Sequence, residues 1–190
     1  MGKHEFYNIF RDTDSGGHAE ESPIQESDRY FDNRYHQFWG KPVPYWKTIH
    51  CSILEDSVDG EEAFEDYQAV LHGFRLCSQR MKDIFEEHKS PDDKIQWLDA
   101  TVTWNGETRP YYLLHFYEDI DILDPVLSKW NPETKKYDAL HMVYVREKIV
   151  NHNIFSYPGS IVGLTVREFI VKEIKRQKMT GMTWEPAIVR

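Results

Sequence analysis

The chain has 190 residues, of which 40% are hydrophobic and 14% aromatic, and a formal net charge of −9. That size and composition suit one domain with a real core, read as spanning 1–190, and exclude a disordered tail. No apolar run approaches the ~18 residues of a membrane span. The N-terminus "MGKHEFYNIF" lacks an apolar h-region, and Phe6 stands where a myristoylation signal carries Ser or Thr. Cys51 and Cys77 are too few for a disulfide framework, so the expectation is a cytoplasmic protein with reduced, buried thiols and no membrane contact.

The charge is unevenly spread. Residues 1–66 carry 6 Lys/Arg against 15 Asp/Glu (−9), residues 67–159 carry 11 against 14 (−3), and residues 160–190 carry 6 against 3 (+3). From Thr48 to Phe74 there is no Lys or Arg, while Glu55, Asp56, Asp59, Glu61, Glu62, Glu65 and Asp66 are all acidic. Such a surface repels a phosphate backbone, which disfavours nucleic acid, and speeds the approach of a basic protein.

In chain order, "HEFYNIFR" (4–11) predicts a strand and the polar segment 12–29 a mobile loop. Tyr30 to Trp46 holds seven aromatics, with Gly40, Pro42 and Pro44 breaking any long helix. That cluster reads as a lid on the core or as an exposed recognition patch. "WKTIHCSIL" (46–54) predicts a strand. Ser78 is a natural N-cap for a helix whose face is Met81, Ile84, Phe85 and His88. Asn105-Gly106 predicts a two-residue type I′ turn between strands 100–104 and 109–117. Residues 137–150 fit a strand or a helix, and "NIFSYPGSIVGLTV" supplies one more short strand. The fold class is therefore α+β, a mostly antiparallel sheet with a few helices.

One internal similarity stands out. "IQWLDATV" (95–102) and "MTWEPAIV" (182–189) align at an offset of 87 residues, Trp97 with Trp184. The same offset carries Ser78 to Thr165 and Arg80 to Arg167, where Thr165 and Glu168 form a T-x-x-E capping box before the stripe Val166, Phe169, Ile170 and Ile174. The reading is a helix–loop–strand unit present twice, without a gap, whose tryptophans pack the core. Because Trp97 and Val102 would face opposite sides of a regular strand, a bulge is expected between them, with Pro186 at that place in the second copy and Asp99 in the first.

Signals for chemistry are sparse. The nine histidines are scattered without H-x-x-x-H spacing, and there is no C-x-x-C, phosphate-binding glycine loop or G-x-S-x-G elbow. "EDIDILDPVLS" (118–128) gathers Asp119, Asp121 and Asp124, which reads as strand-end or cap chemistry, as a recognition site, or as a metal-dependent enzyme site. No metal and no cofactor is expected. The sequence carries no signature of an oligomeric state.

The succession "FWGKPVP" (38–44), "GFRLCSQRMKD" (73–83), "IQWLDATV" (95–102), "DILDPVLS" (121–128) and "TGMTWEPAIV" (180–189) resembles an immunity-protein family of bacterial polymorphic toxin systems, formerly a domain of unknown function. The resemblance covers roughly residues 36–190 and includes Asp121, Asp124 and Ser128 as motif residues. It implies a non-enzymatic α+β protein whose partner is the C-terminal domain of a cognate toxin, occluded by protein–protein contact. On that reading the candidate toxin contacts are Glu61, Glu62, Glu65 and Asp66 beside Tyr30, Trp39, Tyr45 and Trp46, with tyrosine and tryptophan as buried anchors. The alternative is a regulatory or scaffold module that binds another protein.

Overall fold

The computed structural model describes residues 4–12, 19–21, 40–54, 63–68, 75–131, 135–157 and 163–190. Among these the chain is α+β with mostly antiparallel sheets. A six-stranded sheet has the order β2 (Ala19–Glu21), β3 (Ile49–Ile53), β6 (Ile95–Trp104), β7 (Glu107–Phe116), β5 (Leu76–Ser78), β4 (Tyr67–Gln68). A four-stranded sheet has the order β11 (Ile154–Phe155), β12 (Leu164–Arg167), β1 (Phe6–Arg11), β13 (Met182–Pro186). Two small pairs complete the list: β8 (Lys129–Asn131) with β9 (Lys135–His141), and β10 (Val143–Tyr144) with β14 (Ile188–Val189). The helices are α1 (Gln79–His88), the single turn α2 (Arg146–Ile149) and α3 (Glu168–Arg176).

The duplicated unit is real in architecture. In the first copy β5 leads through α1 to β6, and both strands pair antiparallel with β7, which lies between them. In the second copy β12 leads through α3 to β13, and both pair antiparallel with β1. Each copy is thus a strand–helix–strand unit with two parallel strands split by an inserted antiparallel one. The insert follows immediately in the first copy and comes from the N-terminus in the second.

The two helices are why one core serves both copies. Met81, Ile84 and Phe85 of α1 meet Ile170, Val171 and Ile174 of α3, between Ile9, Leu114, Ile154, Leu164 and Val166 of the sheets. Full burial of such a side chain is worth about 1.5–3 kcal/mol, more than the ~1 kcal/mol of a helix cap. Packing therefore dominates local signals here. The far face of the six-stranded sheet packs Leu98, Ala100, Val102 and Leu113 under Val43 and Phe64. The far face of the four-stranded sheet packs Phe6 and Phe155 against Ile122, Leu123, Tyr144 and Ile149.

Several expectations are corrected. Thr165 is not a cap: it lies inside β12, and its hydroxyl donates to Asn8 Oδ1 at 2.9 Å and lies 2.8 Å from the Tyr144 hydroxyl. The strand pairing of Leu164–Arg167 with β1 wins over the capping box, so α3 begins only at Glu168, whose N–H donates to the Glu5 carbonyl at 2.9 Å. Ser78 does cap α1, accepting from Met81 N–H at 3.2 Å. The helices are thus out of the 87-residue register that the tryptophan strands keep.

No bulge separates Trp97 from Val102, since β6 pairs with β7 in unbroken register from Ile95 to Trp104. Both faces of β6 are covered instead, Trp97 on the helix side and Val102 on the other. The second copy breaks at Ala187, after Pro186, and its tail leaves as β14 to run parallel to β10. Trp97 and Trp184 are half-buried at the margin of the helix core; Trp97 stacks on Phe85, its N–H donates to Glu86 at 2.7 Å, and Lys175 lies 4.5 Å over the Trp184 ring.

Within the predicted loop 12–29, Ala19–Glu21 forms a strand against β3. The ambiguous stretch 137–150 is both, ending β9, forming β10 and then turning as α2. The Asn105-Gly106 turn is as expected, with φ of 48° and 79°, and its strands run longer than predicted, 95–104 and 107–116.

Candidate functional site

Residues 63–68 cross the end of the six-stranded sheet as a strap and then add β4 to its edge. The strap is tied at several points. Tyr111 hydroxyl donates to the Glu65 carbonyl at 2.7 Å, Glu65 N–H donates to Gln68 Oε1 at 3.0 Å, and Arg109 stacks 4.0 Å over the Phe64 ring. Asp66 is the hub. Its carboxylate accepts from Ser78 Oγ at 2.6 Å, from Thr180 N–H at 3.2 Å and from Arg80 at 3.3 Å, while its carbonyl accepts from Ser78 N–H at 2.8 Å. One side chain thus joins the strap, the α1 cap and the loop after α3. Gly181 closes that loop with φ of 82°, and a Cβ there would lie 2.4 Å from the Tyr67 carbonyl oxygen.

Above the hub opens a pocket of about 460 Å³. Its floor is buried: Phe64, Glu65, Asp66 and Tyr111. Its rim is exposed or half-exposed: Gln79, Arg80, Arg109, Pro110 and Thr180. The acidic groups therefore sit beneath and the guanidiniums at the mouth, with the Arg80 side chain 56% and the Arg109 side chain 42% exposed. Arg80 also donates to the Gln177 carbonyl at 2.8 Å, and Arg109 to Glu107 at 2.7 Å.

Of the eight residues nominated from sequence as toxin contacts, four are described. Glu65 and Asp66 are only 5% and 6% exposed, and Asp66 spends its charge on the fold. Tyr45 is 82% exposed. Trp46, three residues before β3, packs half-buried on the far-face core and donates its indole N–H to the Asp99 carbonyl at 2.8 Å. Glu61, Glu62, Tyr30 and Trp39 lie outside the described residues. Arg80, Arg109, Phe64, Tyr111 and Thr180 were not nominated; Thr180 is 114 residues from Asp66, a separation no local pattern bridges.

The carboxylates of 118–128 do not converge. Asp124 Oδ1 accepts from Val126 and Leu127 N–H at 2.8 and 2.9 Å, which holds its carboxyl below the usual range, the Leu127 bond contributing most. Asp121 pairs with Lys148 at 3.0 Å, and Asp119 packs against Gly40. Ser128 clips the turn to β10, donating to the Val143 carbonyl and accepting from Val143 N–H at 3.2 and 3.1 Å. This is the strand-end and cap role. Among the described residues no group of three or more His, Cys, Asp or Glu is placed to hold a metal ion.

The whole chain, compared with protein families, matches the Immunity protein family (Imm11) over residues 5–189. The chain belongs to the Imm11 immunity protein family. No curated protein matches it. Membership implies a protein partner and a binding role. The match begins at residue 5, so β1 and the acidic N-terminal region, outside the motifs quoted above, are part of the Imm11 unit. No described helix is long and apolar enough to cross a membrane.

In this Imm11 chain the motifs that carry the resemblance are fasteners. In "FWGKPVP" the Lys41 carbonyl lies 2.8 Å from His115 Nε2, and Val43 exchanges two backbone bonds with the Gln96 side chain at 2.8 and 2.9 Å. Burial keeps His115 below the usual histidine pKa, so it is neutral at pH 7. "GFRLCSQRMKD" contributes Ser78 and Arg80 to the Asp66 hub, and Arg75, which donates to Gly163 and Ser156 at 2.9 and 2.7 Å.

Proposed function

We propose that the chain neutralises a toxin domain by binding it and covering the surface through which the toxin acts, in the cytoplasm of the cell it protects. The observation that carries this reading is the Imm11 match over residues 5–189. Two features support a binding role. The net charge of −9 favours encounter with a basic partner. The strap end of the six-stranded sheet presents a pocket beside half-exposed side chains, and Tyr45 is 82% exposed. Tyr45 and Trp46, with Tyr30, Trp39, Glu61 and Glu62, remain candidate contacts. Glu65 and Asp66 would act from beneath, by holding the pocket's shape.

The test is to co-express the chain with the toxin domain encoded beside its gene. The expected result is restored growth and a stable complex on purification. Cells that still die, and a toxin that elutes alone, would refute the proposal.

A further inference from the structure

We infer that the outer edge of β13 takes up an extended segment of the partner as an added antiparallel strand, whose successive basic, acidic and β-branched residues face Glu185, Trp184 and Thr183. The inference deepens the binding reading above and rests on it for the partner's identity. β13 (Met182–Pro186) ends the order β11-β12-β1-β13, so only one of its sides is paired. The register shows which groups face out. Asp12 N–H donates to the Gly181 carbonyl and Ala187 N–H to the Phe6 carbonyl, both at 3.0 Å, so residues 181, 183, 185 and 187 turn their backbone groups towards β1. The N–H and C=O of Met182 and Trp184 and the C=O of Pro186 therefore point away from β1, where no strand meets them among the described residues. The strand is held at both ends, by Tyr67 N–H on the Thr180 carbonyl at 3.1 Å and by Arg190 N–H on the Tyr144 carbonyl at 2.9 Å. The edge is thus preformed, about 17 Å long at ~3.4 Å per residue, and Thr180 sets its start at the rim of the strap pocket.

Side chains set what fits. Met182 and Trp184 lie on the helix side, with the exposed Lys175 4.5 Å over the Trp184 ring. Thr183 and Glu185 are exposed on the other side, beside Phe10, which pairs with Thr183 and is 40% exposed. An incoming residue shares the face of the residue it stands opposite. Opposite Trp184 it meets the Lys175 ammonium, which favours a carboxylate. Opposite Glu185 it meets a carboxylate, which favours Lys or Arg. Opposite Thr183 a β-branched side chain extends the apolar surface of Phe10. In the antiparallel sense the segment reads basic, acidic, β-branched from its N-terminus. Pro186 has no N–H, so the pairing stops there. The same proline works against a second copy of the chain. In the two-fold register centred on Trp184 it would face Met182 and withhold one bond at each end, and each copy brings a net charge of −9. A partner strand of mixed charge escapes both penalties.

Two arms test this. In the first, the acetylated, amidated peptide Thr-Lys-Glu-Val-Thr is titrated into the full chain while NMR follows the backbone amides. Saturable shifts are expected, larger at Met182 and Trp184 than at Thr183 and Glu185. N-methylation of the peptide's Glu, whose N–H would face the Trp184 carbonyl, should abolish binding, and N-methylation of its Lys should be tolerated within threefold. Thr-Glu-Lys-Val-Thr should bind at least threefold more weakly. No shift, shifts without that alternation, an N-methyl-Glu peptide that still binds, or equal binding of the two charge orders overturns the inference. In the second arm, affinity for the toxin domain encoded beside the gene is measured for Glu185→Lys, Lys175→Glu and the surface control Glu118→Lys. Melting curves show that each is folded, and sedimentation reports the oligomeric state. The two edge variants are expected to weaken binding at least fivefold, with the control within twofold of wild type. Wild-type affinity in both edge variants, or a dimer of the chain that Glu185→Lys dissolves, overturns the inference even if the toxin reading stands. A toxin that binds none of these proteins, with the peptide still bound selectively, removes the toxin reading and leaves the edge as a strand-binding site.

Discussion

The two strand–helix–strand units share a plan and differ at one end. At the start of α3 the Glu5 carbonyl accepts the Glu168 N–H, and the Glu5 carboxylate bonds both Arg167 and Arg146. At the start of α1 a carboxylate again meets an arginine, Asp66 with Arg80, and Arg80 is the residue that the 87-residue offset maps onto Arg167. The second unit is closed there by the N-terminal strand. The first is bridged by a strap that leaves a pocket. One scaffold thus supplies a sealed end and an open end, and recognition is what we propose for the open one.

The largest test of this contrast concerns the loop after each helix. The first unit's loop is anchored by Asp93, whose side chain is fully buried and accepts from Ser90 N–H at 2.8 Å, Ile154 N–H at 3.0 Å, Asn153 N–H at 3.2 Å and, at 3.1 Å, His152 Nδ1. Asp93→Ala orphans all of them and should cost about 3 kcal/mol in chemical denaturation. The second unit's loop depends on Gly181, where both φ and the 2.4 Å approach to Tyr67 forbid a side chain. Gly181→Ala should cost about 2 kcal/mol or more. Gly106→Ala, at similar φ but with nothing within 4 Å, should cost about 1 kcal/mol. Equal losses at the two glycines would deny that the second loop is clamped onto the strap.

Capping separates the units next. Ser78→Ala should cost about 1 kcal/mol and speed hydrogen exchange in the first turn of α1. Thr165→Val should leave the first turn of α3 unchanged while exposing the loss of its bonds to Asn8 and Tyr144 in overall stability. Acid titration reads the sealed end. Burial works against the Glu5 charge, but hydrogen bonds and charges from Arg146 and Arg167 outweigh it and hold its carboxyl below the usual range. Its stabilisation is therefore complete above the ordinary glutamate value of ~4.3 and is lost as pH falls through the lower folded value. Glu5→Gln should flatten that acid limb, with its loss of stability greatest at pH 7 and vanishing at low pH. The smallest effect belongs to Tyr67, whose hydroxyl is fully buried with no hydrogen-bond partner among the described residues and whose pKa burial raises. Tyr67→Phe should be neutral or stabilising by up to ~1 kcal/mol.

What the sequence disclosed and what it hid follow from range. The Asn105-Gly106 turn and the α1 stripe of Met81, Ile84 and Phe85 are local, and both were legible. Thr165 carried a good local capping signal, but Asn8 and Tyr144, far away in sequence, claimed its hydroxyl. The order β12-β1-β13 was hidden because the inserted strand comes from the other end of the chain. For the same reason the acidic run looked like one exposed face, although Asp66 is buried by Ser78, Arg80 and Thr180. Composition reported the charge, and only the fold assigned it to floor or rim.

The most direct test of the open-end account is hydrogen exchange on the chain alone and in complex with the toxin domain encoded beside it. The account predicts new protection at residues 64–66, 78–80 and 109–111, with the sealed end at 5–6, 146–148 and 167–168 unchanged. Protection confined to the sealed end, or a complex that leaves the strap exchanging as before, would contradict it.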